Sequence, residues 1–162
     1  MKAHKFRAAF TATISNEDGA DKELKLLIHH CGIWSDGEIY CIYDEFLLEA
    51  DTQLSKEDMT ALERILDNGA LDISEDCLLL DGAKLQEYIG LKDKTGKELC
   101  EGDYVRLVAE RSWLGVIRWC ERCAAWCADF GDWKAFFDVW NGEDLVVIGN
   151  THQHHFRVGE EK

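Results

Sequence analysis

The chain has 162 residues, 46% of them apolar, six Trp and no Pro, enough for one domain with a full core. It has no apolar run of the roughly 18 residues a membrane span needs, and Met1-Lys2-Ala3-His4-Lys5 leads into an alternating segment rather than a signal-peptide core, so a cytosolic protein is expected. The formal net charge of −14 disfavours binding to phosphate backbones and favours a basic partner. The surplus is local: the segment from Asn16 to Asp81 holds 18 Asp and Glu against 4 Lys and Arg, and the remainder is balanced at 14 of each. Without proline, no X-Pro isomerisation limits folding. Seven cysteines, an odd number, are expected to stay reduced in a cytosol and to form no disulfide framework.

Phe6, Ala8, Phe10, Ala12 and Ile14 alternate with Arg7, Ala9, Thr11, Thr13 and Ser15, which predicts a strand with one face in the core. A polar loop follows, then an extended, mostly apolar stretch from Leu24 to Trp34. Asp36-Gly37 suits a two-residue hairpin turn, with Ile39 to Phe46 returning as the partner strand. Asp51 to Leu54 reads as a break. Ser55 then caps a predicted helix, with Glu57 and Asp58 at the positive end of its dipole. Met59, Leu62, Ile65 and Leu66 form its apolar stripe, and Gly69 supplies the left-handed stop. Leu71 to Glu75 reads as a short extended piece, and Cys77 to Leu80 as a buried strand or the core of a turn. Leu85, Tyr88 and Ile89 fit either a helical turn or a strand.

Lys92 to Lys97 is too polar to bury. Asp93 is placed to accept bonds from its own backbone two residues on, and Gly96 to take positive φ, so a turn closes there. Leu99 and Cys100 resume an extended segment, Glu101-Gly102-Asp103 turns, and Tyr104 to Ala109 alternates as a strand. Further strands are predicted over Trp113–Trp119, Ala124–Phe130, Ala135–Val139 and Leu145–Ile148, with turns at Cys120–Cys123, Gly131-Asp132 and Asn141–Asp144. Short strands at regular spacing point to a small barrel.

Tyr88-Ile89-Gly90-Leu91-Lys92-Asp93-Lys94-Thr95-Gly96-Lys97-Glu98 and Glu101-Gly102-Asp103 resemble the central motif of the YopX proteins of bacteriophages and prophages. Lys5-Phe6-Arg7-Ala8 is similar to that family's opening strand, and Val147-Ile148-Gly149-Asn150 to its closing one. The three matches stand in the family's order and span nearly the whole chain. Two departures stand out: Cys100 replaces a larger apolar or aromatic residue, and Thr151-His152-Gln153-His154-His155 replaces a more acidic ending. The resemblance implies a phage or prophage origin and the cytoplasm of a bacterial host. It implies no activity.

Cys120-x-x-Cys123-x-x-x-Cys127 has the sharpest metal-like spacing, and with a tail histidine such as His154 it would make a four-ligand zinc site. Against this, the segment reads well as an ordinary hairpin and there is no second C-x-x-C. Cys120 and Cys123 also resemble a redox pair, but no helix start follows them. His29-His30 falls in a strand pattern, one side chain on each face. Asp44-Glu45 and Glu75-Asp76 are adjacent pairs of the same kind. No catalytic triad order, phosphate loop or nucleotide motif is present, so an enzyme reading has no named residues.

The expected fold is α+β, mainly β. A small SH3-like or open barrel is built by the first strand (1–15) and the C-terminal half (82–150), with an acidic β-hairpin plus helix (16–81) inserted in a single domain. The expected function is a non-catalytic phage accessory protein. Its acidic surface, including Glu57, Asp58, Glu63 and Asp67, would face a basic host or phage protein by imitating the charge of nucleic acid. The alternative is a metal- or ligand-binding barrel with an enzymatic or sensor role, using Cys120, Cys123 and Cys127 for zinc, with Trp113, Trp119, Trp126, Trp133 and Trp140 either lining a pocket or, the favoured role, packing the core. Self-association through open barrel edges is a further expectation.

Overall fold

The structure is a computed structural model that describes residues 6–15, 20–29, 31–33, 39–67, 73–74, 77–80, 82–110, 113–137 and 141–160. The architecture is mainly β with two helices, an α+β fold. Two compact units divide the chain, Phe6–Leu85 and Gln86–Lys162. No helix among the described residues is long and apolar enough to cross a membrane.

In the first unit, β1 (Phe6–Ser15) and β2 (Asp21–Ile28) pair antiparallel from Ala8↔Ile28 to Ser15↔Asp21. The expected alternation is present: Ala8, Phe10, Ala12 and Ile14 are buried, and Thr11 and Thr13 are exposed. This buried face is continuous with Leu24, Leu26 and Ile28, so β1 shares its core with the acidic half of the sequence. The long extended stretch divides at His29 into β2 and β3 (Cys31–Ile33). β3 and β4 (Ile39–Ile42) form the expected hairpin, with Ile33 opposite Ile39. Its Asp36-Gly37 turn lies outside the described residues. β6 (Cys77–Leu79) pairs with the other edge of β4, and β5 (Ile73–Ser74) with β6.

The return strand was expected to run to Phe46, and the structure corrects this. β4 ends at Ile42, and α1 (Tyr43–Gln53) follows without a loop. Phe46 and Ala50 are fully buried four residues apart, and Leu47 and Leu54 pack half-buried on the same core. Burial of this helical stripe outweighs the β-propensity of IYCIYDEF, since propensity is a weak prior. The Phe46 ring meets Phe10 edge-on at 6.1 Å. Asp44 consequently lies on the exposed face of a helix rather than on a strand. The break expected over 51–54 shrinks to Leu54 and Ser55, because Gln53 ends the helix usefully. Its amide accepts from Leu27 N–H at 2.8 Å and donates to Leu27 C=O at 2.9 Å, completing the backbone bonding of β2.

α2 (Lys56–Asp67) begins as expected. Ser55 Oγ accepts from Asp58 N–H at 3.2 Å, and Ser55 C=O accepts the first helical bond, from Met59, at 2.9 Å. Met59, Leu62 and Leu66 are buried in the core. The stop at Gly69 lies outside the described residues. Ser55→Ala is expected to cost about 1 kcal/mol, read as a lowered urea midpoint at unchanged slope.

The second unit holds β7 (Lys84–Lys92), which spans the division, and then β8 (Glu98–Cys100), β9 (Asp103–Leu107), β10 (Trp113–Cys120), β11 (Ala125–Asp129), β12 (Lys134–Phe136), β13 (Leu145–Asn150) and β14 (Gly159–Glu160). The alternative left open at Leu85 to Ile89 resolves to strand, with β7 and β8 forming a hairpin around the Asp93 turn. The main sheet runs β12-β11-β10-β9-β13, curled as a half-barrel, with β14 pairing the start of β10. Leu99, Val105, Leu107, Ile117, Ala128, Phe130, Ala135 and Leu145 form its core. Trp113, Trp126 and Trp133 pack half-buried against this core. Trp133 stacks on Phe130 at 4.5 Å and meets Trp113 edge-on at 6.0 Å. Trp140 lies outside the described residues. Phe130 also explains Gly115, where a Cβ would fall 2.8 Å from its ring.

Several boundaries differ from expectation, with β10 running one residue longer, to Cys120, and β11 one residue shorter at each end. β9 stops at Leu107, leaving Ala109 exposed in the bend. The Asn141–Asp144 turn is one turn of 3-10 helix, Gly142–Asp144, capped by the Asn141 side chain. Gly149 and Asn150 do not end β13 but belong to it, with a bulge between Val147 and Gly149.

Candidate functional site

The residues that carry the family resemblance converge on two polar clusters within the second unit. The first is centred on Asp93, buried at 3% exposure at the tip of the β7–β8 hairpin. Its Oδ1 accepts from Thr95 N–H (2.8 Å), Thr95 Oγ1 (2.7 Å) and Lys97 N–H (2.9 Å), the local turn that the sequence predicts. Its Oδ2 accepts from Val147 N–H of β13 at 2.9 Å, 54 residues away. Lys94 N–H donates to Leu145 C=O at 3.0 Å, so the hairpin tip is stitched to β13 at two points. Burial alone raises the Asp93 carboxyl pKa, but the bonds from Val147, Thr95 and Lys97 outweigh it and hold the group below its ordinary value. Gly96 (φ +89°) closes the turn, and Gly90 (φ +86°) sits in the irregular stretch of the β7–β8 ladder. Leu91 packs half-buried on the core.

The second cluster lies at the end of β13. Asn150 Nδ2 donates to Asp103 Oδ1 at 3.0 Å and to Gln86 Oε1 at 3.2 Å, and Gln86 Nε2 returns a bond to Asn150 Oδ1 at 3.2 Å. Asp103 Oδ2 accepts from Cys100 N–H at 3.0 Å, closing the Glu101-Gly102 turn. Gly102 has φ +78°, and a Cβ there would fall 2.8 Å from Thr151 Oγ1 and 2.9 Å from Gln86 Nε2. The tail joins the cluster: His152 N–H donates to Asn150 Oδ1 at 2.9 Å, and His154 Nδ1 accepts from Asn150 N–H at 3.2 Å. His154 stacks on Phe156, and Gly149 makes room for both rings. Ile148 packs beside Tyr104, Leu114 and Val116. Of the opening-strand motif, Phe6 begins β1 and Arg7 is buried in it, while Lys5 lies outside the described residues. Asp93, Asp103 and Asn150 direct these oxygens and nitrogens to the chain itself, so this constellation holds turns and strands in place.

The thiols lie at the β10–β11 hairpin. Cys120 pairs with Ala125 and Arg118 with Cys127, which puts Arg118, Cys120, Cys127 and Asp129 on one face of the ribbon. Trp119 and Trp126 occupy the other, edge-on at 5.4 Å. Cys120 C=O accepts from Cys123 N–H at 3.2 Å across the turn. The nearby N–H of Cys123, then the Cys123 thiol, the N–H of Arg122 and the Lys134 charge, hold the Cys120 pKa below the usual thiol value. Cys127 is fully buried, bonds to Arg118 C=O at 3.6 Å, and has its pKa raised chiefly by burial. Asp129 accepts from Gly131 N–H (2.9 Å) and Lys134 Nζ (2.5 Å) and lies 3.4 Å from Arg118 Nε. Among the described residues, no group of three or more His, Cys, Asp or Glu converges as metal ligands would. The expected four-residue set is thus divided: Cys120 and Cys123 close one turn, Cys127 is tied to the backbone of Arg118, and His154 is tied to Asn150.

A family model described as YopX protein matches residues 34–155. The chain belongs to the YopX family. A search of curated proteins returned no match. The matched span includes both polar clusters.

The acidic quartet expected to meet a partner sits on α2 of the first unit, also inside the span matched by the YopX model. Glu57, Glu63 and Asp67 are exposed. Asp58 is committed elsewhere, paired with Lys22 Nζ at 2.5 Å, and that bond leads the causes that lower its pKa. The sequence reading missed Gln86 and Gln53, whose amides lie in stretches that carry no local signal, and it missed the exposed face of α1. There Leu48, 70% exposed, stands between Asp44 and Asp51 at helical spacing.

Proposed function

We propose that this YopX protein is a non-catalytic accessory protein of a phage or prophage, working in the bacterial cytoplasm, that docks a basic host or phage protein through the acidic face of its first unit. The observation that carries this reading is the partition of charge between the two units. Phe6–Leu85 contains 18 Asp and Glu against 6 Lys and Arg, a formal −12, while the rest of the chain holds 14 against 12. Asp21, Glu23, Asp44, Asp51, Glu57, Glu63 and Asp67 are exposed on the strands and helices of that unit. Leu48 adds an apolar anchor with acids on either side, the composition of an interface centre with a charged rim. Such a field would speed encounter with a basic surface and repel nucleic acid.

The test is affinity capture from host lysate with the wild type and with a Glu57→Lys, Glu63→Lys, Asp67→Lys variant, which leaves the Asp58 pair intact. Capture of the wild type's partner is expected to fall by about 10-fold or more in the variant and to weaken with added salt. Capture unchanged in the variant would reject the acidic surface as the docking face.

A further inference from the structure

The β10–β11 hairpin ends in a turn that does more than reverse the chain. Cys120 and Cys123 are its first and last residues, joined by the bond from Cys123 N–H to Cys120 C=O at 3.2 Å. The Ala124 N–H donates to Glu121 C=O at 3.3 Å, so the turn is closed by two successive backbone bonds. Ala124, next in the chain, has φ +48°, an uncommon conformation for a residue with a side chain, and it carries the backbone out of the turn into β11. Glu121, Arg122, Cys123 and Ala124 are all exposed.

These features match what a pair of thiolate ligands requires. A tetrahedral thiolate site with metal–sulfur bonds of about 2.3 Å places neighbouring sulfurs roughly 3.8 Å apart. The first and last residues of a four-residue turn have Cα atoms within about 7 Å, which lets two cysteine side chains reach that spacing. N–H groups near a ligating sulfur offset its negative charge. The cations Arg118 and Lys134 lie on the same face of the ribbon, where they add to that effect. A soft thiolate pair selects d10 cations such as Zn(II), Cd(II) or Cu(I) over hard ones.

We propose that the Cys120–Cys123 turn is a two-thiolate site for a soft d10 metal cation, with the remainder of the coordination shell supplied from outside the chain. The third thiol of the spacing, Cys127, takes no part: it is buried and bonded to Arg118 C=O. The tail histidine takes no part either, since His154 Nδ1 is engaged by Asn150 N–H. The exposed hairpin tip leaves the outer positions of the metal open to water, a small thiol, or the same turn of a second copy. Binding exchanges thiol protons for the metal and so releases protons to solvent.

The experiment uses the full chain, reduced and freed of metal, without a histidine tag, titrated with Cd(II) under argon. The readouts are the ultraviolet thiolate-to-cadmium charge-transfer band, proton release, and mass under native conditions. The expected result is a band that saturates at one metal per chain, or at one per two chains with a doubled mass if a second copy completes the shell. The band should be lost in Cys120→Ser and in Cys123→Ser and kept in Cys127→Ser and His154→Gln. Near-ultraviolet circular dichroism of the six Trp confirms that each variant is folded. Three results would overturn the proposal: no band in the folded wild type, a band that survives both turn substitutions, or a band that requires Cys127.

Discussion

Asp93→Ala is expected to destabilise the second unit by about 3–5 kcal/mol. Three backbone N–H groups, of Thr95, Lys97 and Val147, and the Thr95 hydroxyl would lose their acceptor, a carboxylate itself 3% exposed although Thr95 and Lys97 reach solvent. Each buried donor left without a partner costs about 1–3 kcal/mol, and partial hydration of the opened turn keeps the total below the simple sum. Urea denaturation followed by Trp fluorescence measures it, because Trp113, Trp126 and Trp133 pack on the core of that unit. A loss under about 1 kcal/mol would mean that the clamp is not formed in solution.

The same carboxylate sets a pH dependence whose sign follows from its depressed pKa. The folded chain holds the charged form more tightly than the unfolded chain does. The stabilisation is therefore complete above the ordinary Asp value of about 3.9 and is lost as pH falls through the lower, folded value. Asp58 and Asp129, also depressed, act in the same direction. The contribution of Asp93 is the difference in acid slope between the wild type and Asp93→Asn, which keeps the shape but removes the charge. Equal slopes would assign the acid sensitivity to the other two.

Gly142→Ala is expected to cost about 3 kcal/mol by a different route. A Cβ at Gly142 would fall 2.2 Å from the Lys92 carbonyl oxygen and 3.2 Å from Leu99 Cδ1. The first is backbone, so the clash is relieved only by moving the end of β7 or the 3-10 turn, and overpacking of this kind costs about 1–3 kcal/mol or more. Both substitutions strike the seam between the β7–β8 hairpin and the entry to β13. Their effects should therefore add incompletely, and a double-mutant cycle should show a coupling of about 1 kcal/mol. Strict additivity would mean that the two contacts break independently.

What the sequence showed and what it hid divide along one physical line. The turn at Asp93 was legible because an Asx turn and its glycine are local chemistry, and so were the alternation of β1 and the cap at Ser55. The bond from Asp93 to Val147 was not legible, because nothing near either residue announces a partner 54 positions away. α1 was hidden for another reason. It starts at Tyr43 with no capping residue or break after β4, and its stripe of Phe46, Leu47, Ala50 and Leu54 is interrupted by the outward Leu48. The metal-like spacing of the cysteines was visible, but register decides its meaning. Pairing of Cys127 with Arg118 ties that thiol to the ladder and leaves only the two turn thiols together.

The stitch between the Asp93 hairpin and β13 has a consequence for how copies of this chain tolerate crowding. β13 is the last strand of its sheet, and Leu145 C=O and Val147 N–H face away from β9 towards Lys94 and Asp93. A bare border there would be a template for fibril growth by strand addition. The carboxylate and the Lys94 amide act instead as a seam binding, closing the hem of the fabric with groups that cannot propagate the weave.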